Sequence, residues 1–443
     1  MLIAVPTWLR AHHFGFANYD FGIYSQALAR LALDPPNPWL SGRQLFVFND
    51  HFDPVLFLFA PFARVFPAAS VGLVAEALFA SLSLVPLAWL AREGRLSARG
   101  LWTFGVLLAL NVGLTQAMGF PFHPTTWAVA PLAWLLAAVV LERWGVALVA
   151  LVVLFTFKEE FPFVGLALAP LVWVRAPRRL AVGWVVASLG WALFAFVLRP
   201  RLFGEVMPYA SVPFRGWDEG VGAFLAARFA PGVLAGAGDL VVAFVPLIIS
   251  FALTRTRPGW LWLALVPMVS IRFLSMAWRD HYGAVVAVGL VFWLVDWWGR
   301  TKRELPWWVV AASVVLVLVT NESGLRRSVR SLSGAQGWGA STGCIDVPQR
   351  REAVARAVEM VRAAPGPLFV SGNLLPWLAE RGDVYAIGGP QGDAVKAVTV
   401  LVEQPLCGDT WAQSPEQRLE SWNRARIAKT VVVDDGFVIV ASP

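Results

Sequence analysis

Apolar stretches recur through the first 320 residues, separated by short polar segments. About 20 apolar residues cross a hydrocarbon core of ~30 Å. On that measure residues 70–91, 101–118, 125–142, 180–198, 240–254, 259–274, 282–299 and 306–320 are predicted spans. The stretch 145–174 is interrupted by Lys158-Glu159-Glu160. As one helix it would bury those charges at the bilayer centre, at high cost. As two short helices it forms a hairpin with the charges at its tip.

Loop charge favours the hairpin. Arg92, Arg95 and Arg99 form one basic loop, followed by Arg143, then Arg175, Arg178 and Arg179, then Arg255 and Arg257, then Arg300, Lys302 and Arg303. Basic loops belong in the cytoplasm, and all of these fall on one side only if 145–174 crosses twice. The count is then about ten spans. Residues 1–69, the 119–124 turn, the Lys158 tip, the 199–239 loop, Arg279–Tyr282 and everything after Asn321 lie on the extracytoplasmic face.

Composition agrees. The chain is 58% hydrophobic and 15% charged, against about 25% charged in soluble domains. Its 23 Trp suit the headgroup level of a bilayer. Disordered, fibrous and disulfide-dense classes are excluded. The net charge of +7 comes mostly from Arg, since Lys occurs only at 158, 302, 396 and 429. Cytoplasmic loops and anionic headgroups account for it, so nucleic acid is not an expected partner.

The flanking regions read differently. Met1–Arg10 is too short to span and lacks a signal-peptide core. Leu2-Ile3-Ala4-Val5 reads as the end of a helix whose start is missing, so a preceding span is expected upstream. Within 1–69, the helical spacing of Ile23, Ala27, Leu28 and Leu31 predicts an interfacial helix over Phe21–Leu33, and Pro54–Phe66 is expected to lie at the membrane surface. Residues 321–343 are a linker. Beyond it, 344–443 is expected to be a small extracytoplasmic α/β domain. Its helices are Arg350–Arg362, Leu374–Glu380 and Glu416–Ile427, its strands Leu368–Ser371, Val384–Ile387 and Val398–Val402, and Val431–Val440 is a hairpin. Cys344 and Cys407 both fall in this exported tail, where oxidation to a disulfide is permitted.

Several short motifs occur in one order: Tyr19-Asp20-Phe21-Gly22-Ile23-Tyr24, Asp50-His51-Phe52-Asp53-Pro54, Phe122-His123-Pro124, Lys158-Glu159-Glu160, His281-Tyr282 and Leu375–Arg381. Together they resemble a prokaryotic family of predicted membrane proteins, domain-of-unknown-function family 2079, over nearly the whole chain. The layout is similar to that of the GT-C class of polytopic glycosyltransferases. That resemblance implies a helical bundle, an essential acidic residue in the first extracytoplasmic loop and a polyprenyl-phosphate-linked sugar as donor. The chain departs from the family pattern at Glu160, where Asp is expected, at Trp377, where His is expected, and at the missing first helix.

Each polar cluster has a structural reading beside the chemical one. Asp20 either caps a helix or deprotonates an acceptor hydroxyl. Asp53 before Pro54 has the pattern of a helix cap. Asp50 and His51, among Phe46, Phe48 and Phe52, are catalytic candidates able to relay a proton or to hold a divalent metal, though two residues make only a weak metal site. His123 is a headgroup-level histidine or a substrate contact. Lys158, Glu159 and Glu160 either close the hairpin as an ion pair or meet a lipid phosphate and a hydroxyl or metal. Arg279, His281 and Tyr282 open a span on the same face, and Arg272 lies just before them, its guanidinium suited to a diphosphate.

The expected function is sugar transfer from a polyprenyl-phosphate carrier at the outer face of a prokaryotic plasma membrane, with lipid-linked sugar and membrane lipids as partners. The alternatives are a lipid or glycolipid transporter and a non-catalytic envelope assembly factor.

Overall fold

The computed structural model describes residues 4–15, 19–120, 122–204, 214, 216–278, 281–301, 306–320, 348–387, 399–403, 430–434 and 438–442. It is mainly helical, as a chain in a medium without water requires, because a helix satisfies its own backbone hydrogen bonds. Among the described residues, Ala68–Arg92, Arg178–Phe203, Pro231–Leu253 and His281–Thr301 are long and apolar enough to cross a membrane. Ala98–Leu110 and Val112–Gly119 make a further candidate, bent by 43° between them. Pro124–Val140, Trp144–Phe155, Pro162–Arg175, Trp262–Ser275 and Trp307–Thr320 are shorter apolar helices.

Three details differ from the sequence expectation. The span expected at 101–118 is broken at Asn111, whose side-chain oxygen accepts from Gly113 N at 2.8 Å and so caps the second half. Gly113 there meets the backbone of the His281–Thr301 helix, where a Cβ would lie 2.6 Å from Gly283 O. The helix expected to start at 240 begins at Pro231. The Tyr19–Leu33 helix does not lie at an open interface. Phe21, Ile23, Tyr24, Ala27, Leu28 and Leu31 are all buried, because the Ala68–Leu82 helix and the C-terminal region cover it. Pro54–Phe66 does present Leu58, Phe62, Val65 and Phe66 outward.

The residues 145–174 form two helices, Trp144–Phe155 and Pro162–Arg175. At 1.5 Å per residue, a helix of 12 residues is only ~18 Å long, well short of a hydrocarbon core. The hairpin tip therefore ends among protein groups: Lys158 and Glu159 are buried.

In the C-terminal region a five-stranded sheet runs in the order Val384–Ala386, Leu368–Val370, Thr399–Glu403, Val438–Ser442 and Thr430–Asp434. The first three are parallel neighbours, and the last two form the antiparallel hairpin. The Pro348–Arg362 helix buries Val354, Val358 and Val361 in the same core as Leu368, Val384 and Val440. Leu374–Glu380 is reduced to a single 3-10 turn, Leu375–Leu378. That turn docks on the helix carrying Asp20: a Cβ on Gly22 would lie 2.5 Å from Leu375 Cδ2. Buried Arg350 donates to His13 O at 2.9 Å and Phe14 O at 3.2 Å. Glu416–Ile427, the 321–343 linker, Arg279, Cys344 and Cys407 lie outside the described residues, as does the expected disulfide.

Helix direction separates two ends of the bundle. Arg175 and Arg300 sit at the C-terminal ends of Pro162–Arg175 and His281–Thr301, and both line one cavity with Arg95, Glu142 and Trp260. His281 and the Lys158 tip lie at the other ends of the same helices.

Candidate functional site

At that second end, five separate segments converge. The Tyr19–Leu33 helix supplies Asp20 in its first turn and Tyr24 one turn later. Asp50 ends a short helix, Val47–Asp50, and residues 51–53 follow it. His123 precedes the Pro124–Trp127 turn, the hairpin tip brings Lys158 to Glu160, and His281 opens its helix.

His123 is fixed from two sides. Its backbone N–H donates to Glu76 Oε2 at 3.1 Å, and its Nδ1 accepts from Thr125 N at 3.1 Å. The second contact makes His123 the side-chain cap of its turn. An accepting Nδ1 carries no proton, so in the neutral ring Nε2 is the donor. Burial, with the nearby His281 and Lys158, pushes His123 well below the usual imidazole range, which keeps the ring neutral. The His123 and His281 rings stack at 3.7 Å and 6°, and Tyr24 packs edge-on to His123 at 4.6 Å. Among the described residues, both ring nitrogens of His281 lack a hydrogen-bond partner, although the residue is 2% exposed.

The charged residues sort into pairs. His51 Nδ1 and Glu159 Oε1 are 2.9 Å apart, and Phe52 N donates to Glu159 Oε2 at 3.4 Å. Burial opposes a charged His51, but the adjacent Glu159 carboxylate outweighs it and raises the imidazole above its ordinary range. Arg43 grips Asp50 through both carboxylate oxygens, at 3.1 and 3.3 Å. Arg272 forms an ion pair with Glu160. Lys158 Nζ lies 5.1 Å from the centre of the Tyr282 ring and the Arg272 guanidinium 4.6 Å from it, both over the ring. Such contacts favour cations.

Asp20 and Asp53 face these pairs. Burial raises the Asp20 carboxyl, partly offset by His51 and Lys158. Burial pushes Asp53 up to about 7 against the same two cations. Asp53 is not the side-chain cap its sequence suggests: the Leu56–Phe59 helix is entered from Val55, with no side-chain cap bond.

Asp20, His123 and His281 offer ligand atoms within 4.8 Å of one another. Stacked parallel rings send their nitrogen lone pairs side by side rather than toward one point, and His123 Nδ1 is already engaged. A cation there would need at least one ring to turn. Asp50 and His51, the sequence candidates for a metal, are each committed to another partner, Arg43 and Glu159.

Of the expected site residues, Asp20, His51, His123, Lys158, Glu159, Glu160, His281 and Tyr282 gather in this cluster. Asp50 stands at its edge, turned to Arg43. Glu76, Tyr24 and Arg199 belong to it and were not singled out from sequence. Arg199, 4% exposed with Nε and Nη1 unpartnered among the described residues, adds to the attraction on Glu159. A carboxylate inside an apolar span, as at Glu76, is itself a signal, whereas Arg199 at a span end reads as a snorkelling residue. A cavity of about 280 Å³ opens beside Tyr282, lined by Gly232, Val233, Gly236, Met276 and Trp278.

No curated protein matches the sequence. Among solved structures, ArnT from Cupriavidus metallidurans in the apo state superposes with a TM-score of 0.57 at 14% identity. The same protein bound to undecaprenyl phosphate gives 0.55 at 13%. Each comparison covers 99% of this chain and 96% of the other. The shared feature is the fold. Residues 10–426 match the family described as predicted membrane protein DUF2079, and the chain is a member of that family.

Proposed function

We propose that this chain is a membrane-embedded glycosyltransferase that moves a sugar from a polyprenyl-phosphate carrier to an acceptor hydroxyl on the extracytoplasmic face. The observation that carries the reading is the position of Tyr282. Lys158 and Arg272 stand over its ring, and the largely apolar 280 Å³ cavity begins at the same residue. A lipid phosphate has this division, a charged head beside a hydrocarbon chain. The fold is that of ArnT, a GT-C glycosyltransferase seen with undecaprenyl phosphate.

In this reading Asp20 takes the proton from the acceptor hydroxyl, and its raised pKa makes it a better base near neutral pH. The acceptor oxygen attacks the anomeric carbon, the sugar–phosphate bond breaks, and the lipid phosphate leaves with the bonding electrons. Direct displacement inverts that centre. Lys158, His281, Arg199 and Arg279 meet the departing phosphate, where charge stabilisation matters most. The Asp50–Arg43, His51–Glu159 and Glu160–Arg272 pairs hold the first loop and hairpin tip in register.

The ten-span count rests on the four long helices, the bent pair and the five shorter apolar helices. The basic end then faces the cytoplasm and the cluster and C-terminal region face outward, in a prokaryotic plasma membrane. Purified protein incubated with a panel of polyprenyl-phosphate sugars should release free lipid phosphate, and Asp20→Asn should abolish release while leaving thermal stability near wild type. Lipid-sugar binding with no release from any donor would replace the enzyme with a transporter.

A further inference from the structure

A second cavity, of about 220 Å³ and with a charged rim, lies at the opposite end of the bundle from the histidine cluster. Its rim is built from Arg95, Arg175 and Arg300 with Glu142 and Asp296, and its interior includes apolar residues such as Val139 and Leu171. Five helix ends or loops meet there, those that carry Arg95, Glu142, Arg175, Trp260 and Arg300. Two of the arginines are already balanced: Arg175 lies 3.3 Å from Glu142, and Arg300 holds Asp296 at 3.2 Å. Among the described residues Arg95 pairs with no carboxylate, so the rim carries one positive charge in excess. Trp260, another lining residue, is 53% exposed, which is the habit of tryptophan at headgroup level. Gly259 beside it allows the Asp296 carboxylate to close against the loop backbone, since any Cβ at 259 would overlap that carboxylate.

A cavity with a singly positive rim, apolar inner walls and a headgroup-level tryptophan, set where helices leave the membrane, matches one ligand chemistry. We infer that it binds the phosphodiester headgroup of an anionic glycerophospholipid, with Arg95 as the residue that supplies the uncompensated charge. Basic pockets between spanning helices take such headgroups by the same electrostatics. A zwitterionic lipid brings its own cation to a rim that already has one in excess. The inference is independent of the proposed sugar transfer.

The test uses the full chain in detergent and native mass spectrometry, with phosphatidylglycerol and phosphatidylcholine of matched acyl chains. Wild type should retain phosphatidylglycerol preferentially. Removing one cation near the surface should lower that preference about fivefold in Arg95→Gln. Glu142→Gln, which leaves the rim with an additional positive charge, should raise it. Both side chains are exposed, so neither change removes core packing, and their opposite signs guard against a general loss of fold. Arg92→Gln, on the same loop but outside the cavity, should leave the preference unchanged. Equal retention of the two lipids by wild type, or equal effects of Arg95→Gln and Arg92→Gln, would overturn the inference. So would displacement of the lipid by millimolar inorganic phosphate, which would assign the cavity to a free anion instead.

Discussion

Phe122 occupies the space that a side chain at Gly72 would need: a Cβ there would fall inside the Phe122 ring contact. The ring is fully buried, stacked on Trp127 at 5.5 Å and edge-on to Phe21 at 5.9 Å, so it has nowhere to retreat. Four residues along the same helical face, Glu76 accepts the His123 N–H. One face of one span thus holds the turn that presents His123. Gly72→Ala should cost about 1–3 kcal/mol by overpacking, read as a lower unfolding temperature. An unchanged midpoint would mean that the turn is not seated on this helix.

The His51–Glu159 pair is buried, with side chains 13% and 7% exposed. Breaking one member of such a pair leaves an uncompensated charge and costs about 3–5 kcal/mol. Glu159→Gln should therefore destabilise strongly, and adding His51→Gln should recover part of the loss. A double-mutant cycle measures the coupling. Strict additivity would separate the two residues.

Asp53 gives a pH dependence of defined sign. Its folded pKa, about 7, lies above the ordinary 3.8. The folded state thus binds the proton more tightly than the unfolded chain. The associated stability is fully present below pH ~4 and is lost as pH rises through about 7. Between pH 6 and pH 8 this amounts to roughly 1 kcal/mol. Asp53→Asn removes the titration, so the variant should gain on wild type as pH rises across that window. Parallel pH profiles of the two unfolding midpoints would refute the assignment.

Orientation is open to fusion reporters. A reporter after Arg95 should be cytoplasmic and one after Ser341 exported. A cytoplasmic signal at Ser341 would refute the hairpin and the ten-span count together.

Hydrophobic periodicity and loop charge made the apolar helices, the 145–174 hairpin and the C-terminal strands legible, because both signals are local and set by the solvent each residue must meet. Lys158 stood out for the same reason: a charge bordered by phenylalanines needs a partner. The partners were another matter. That Glu159 takes His51 and that His123 stacks on His281 join residues far apart in sequence, and no local pattern ranks one distant histidine above another. The buried state of the Tyr19–Leu33 helix was hidden likewise, since the Leu375 turn that covers Gly22 lies more than 350 residues away. Sequence alone determined which segments must leave water and which charges would be costly there. The tertiary structure decided which charges meet, because only packing five segments together brings a carboxylate within hydrogen-bonding reach of one imidazole and leaves another imidazole, His281, with both nitrogens unpartnered among the described residues.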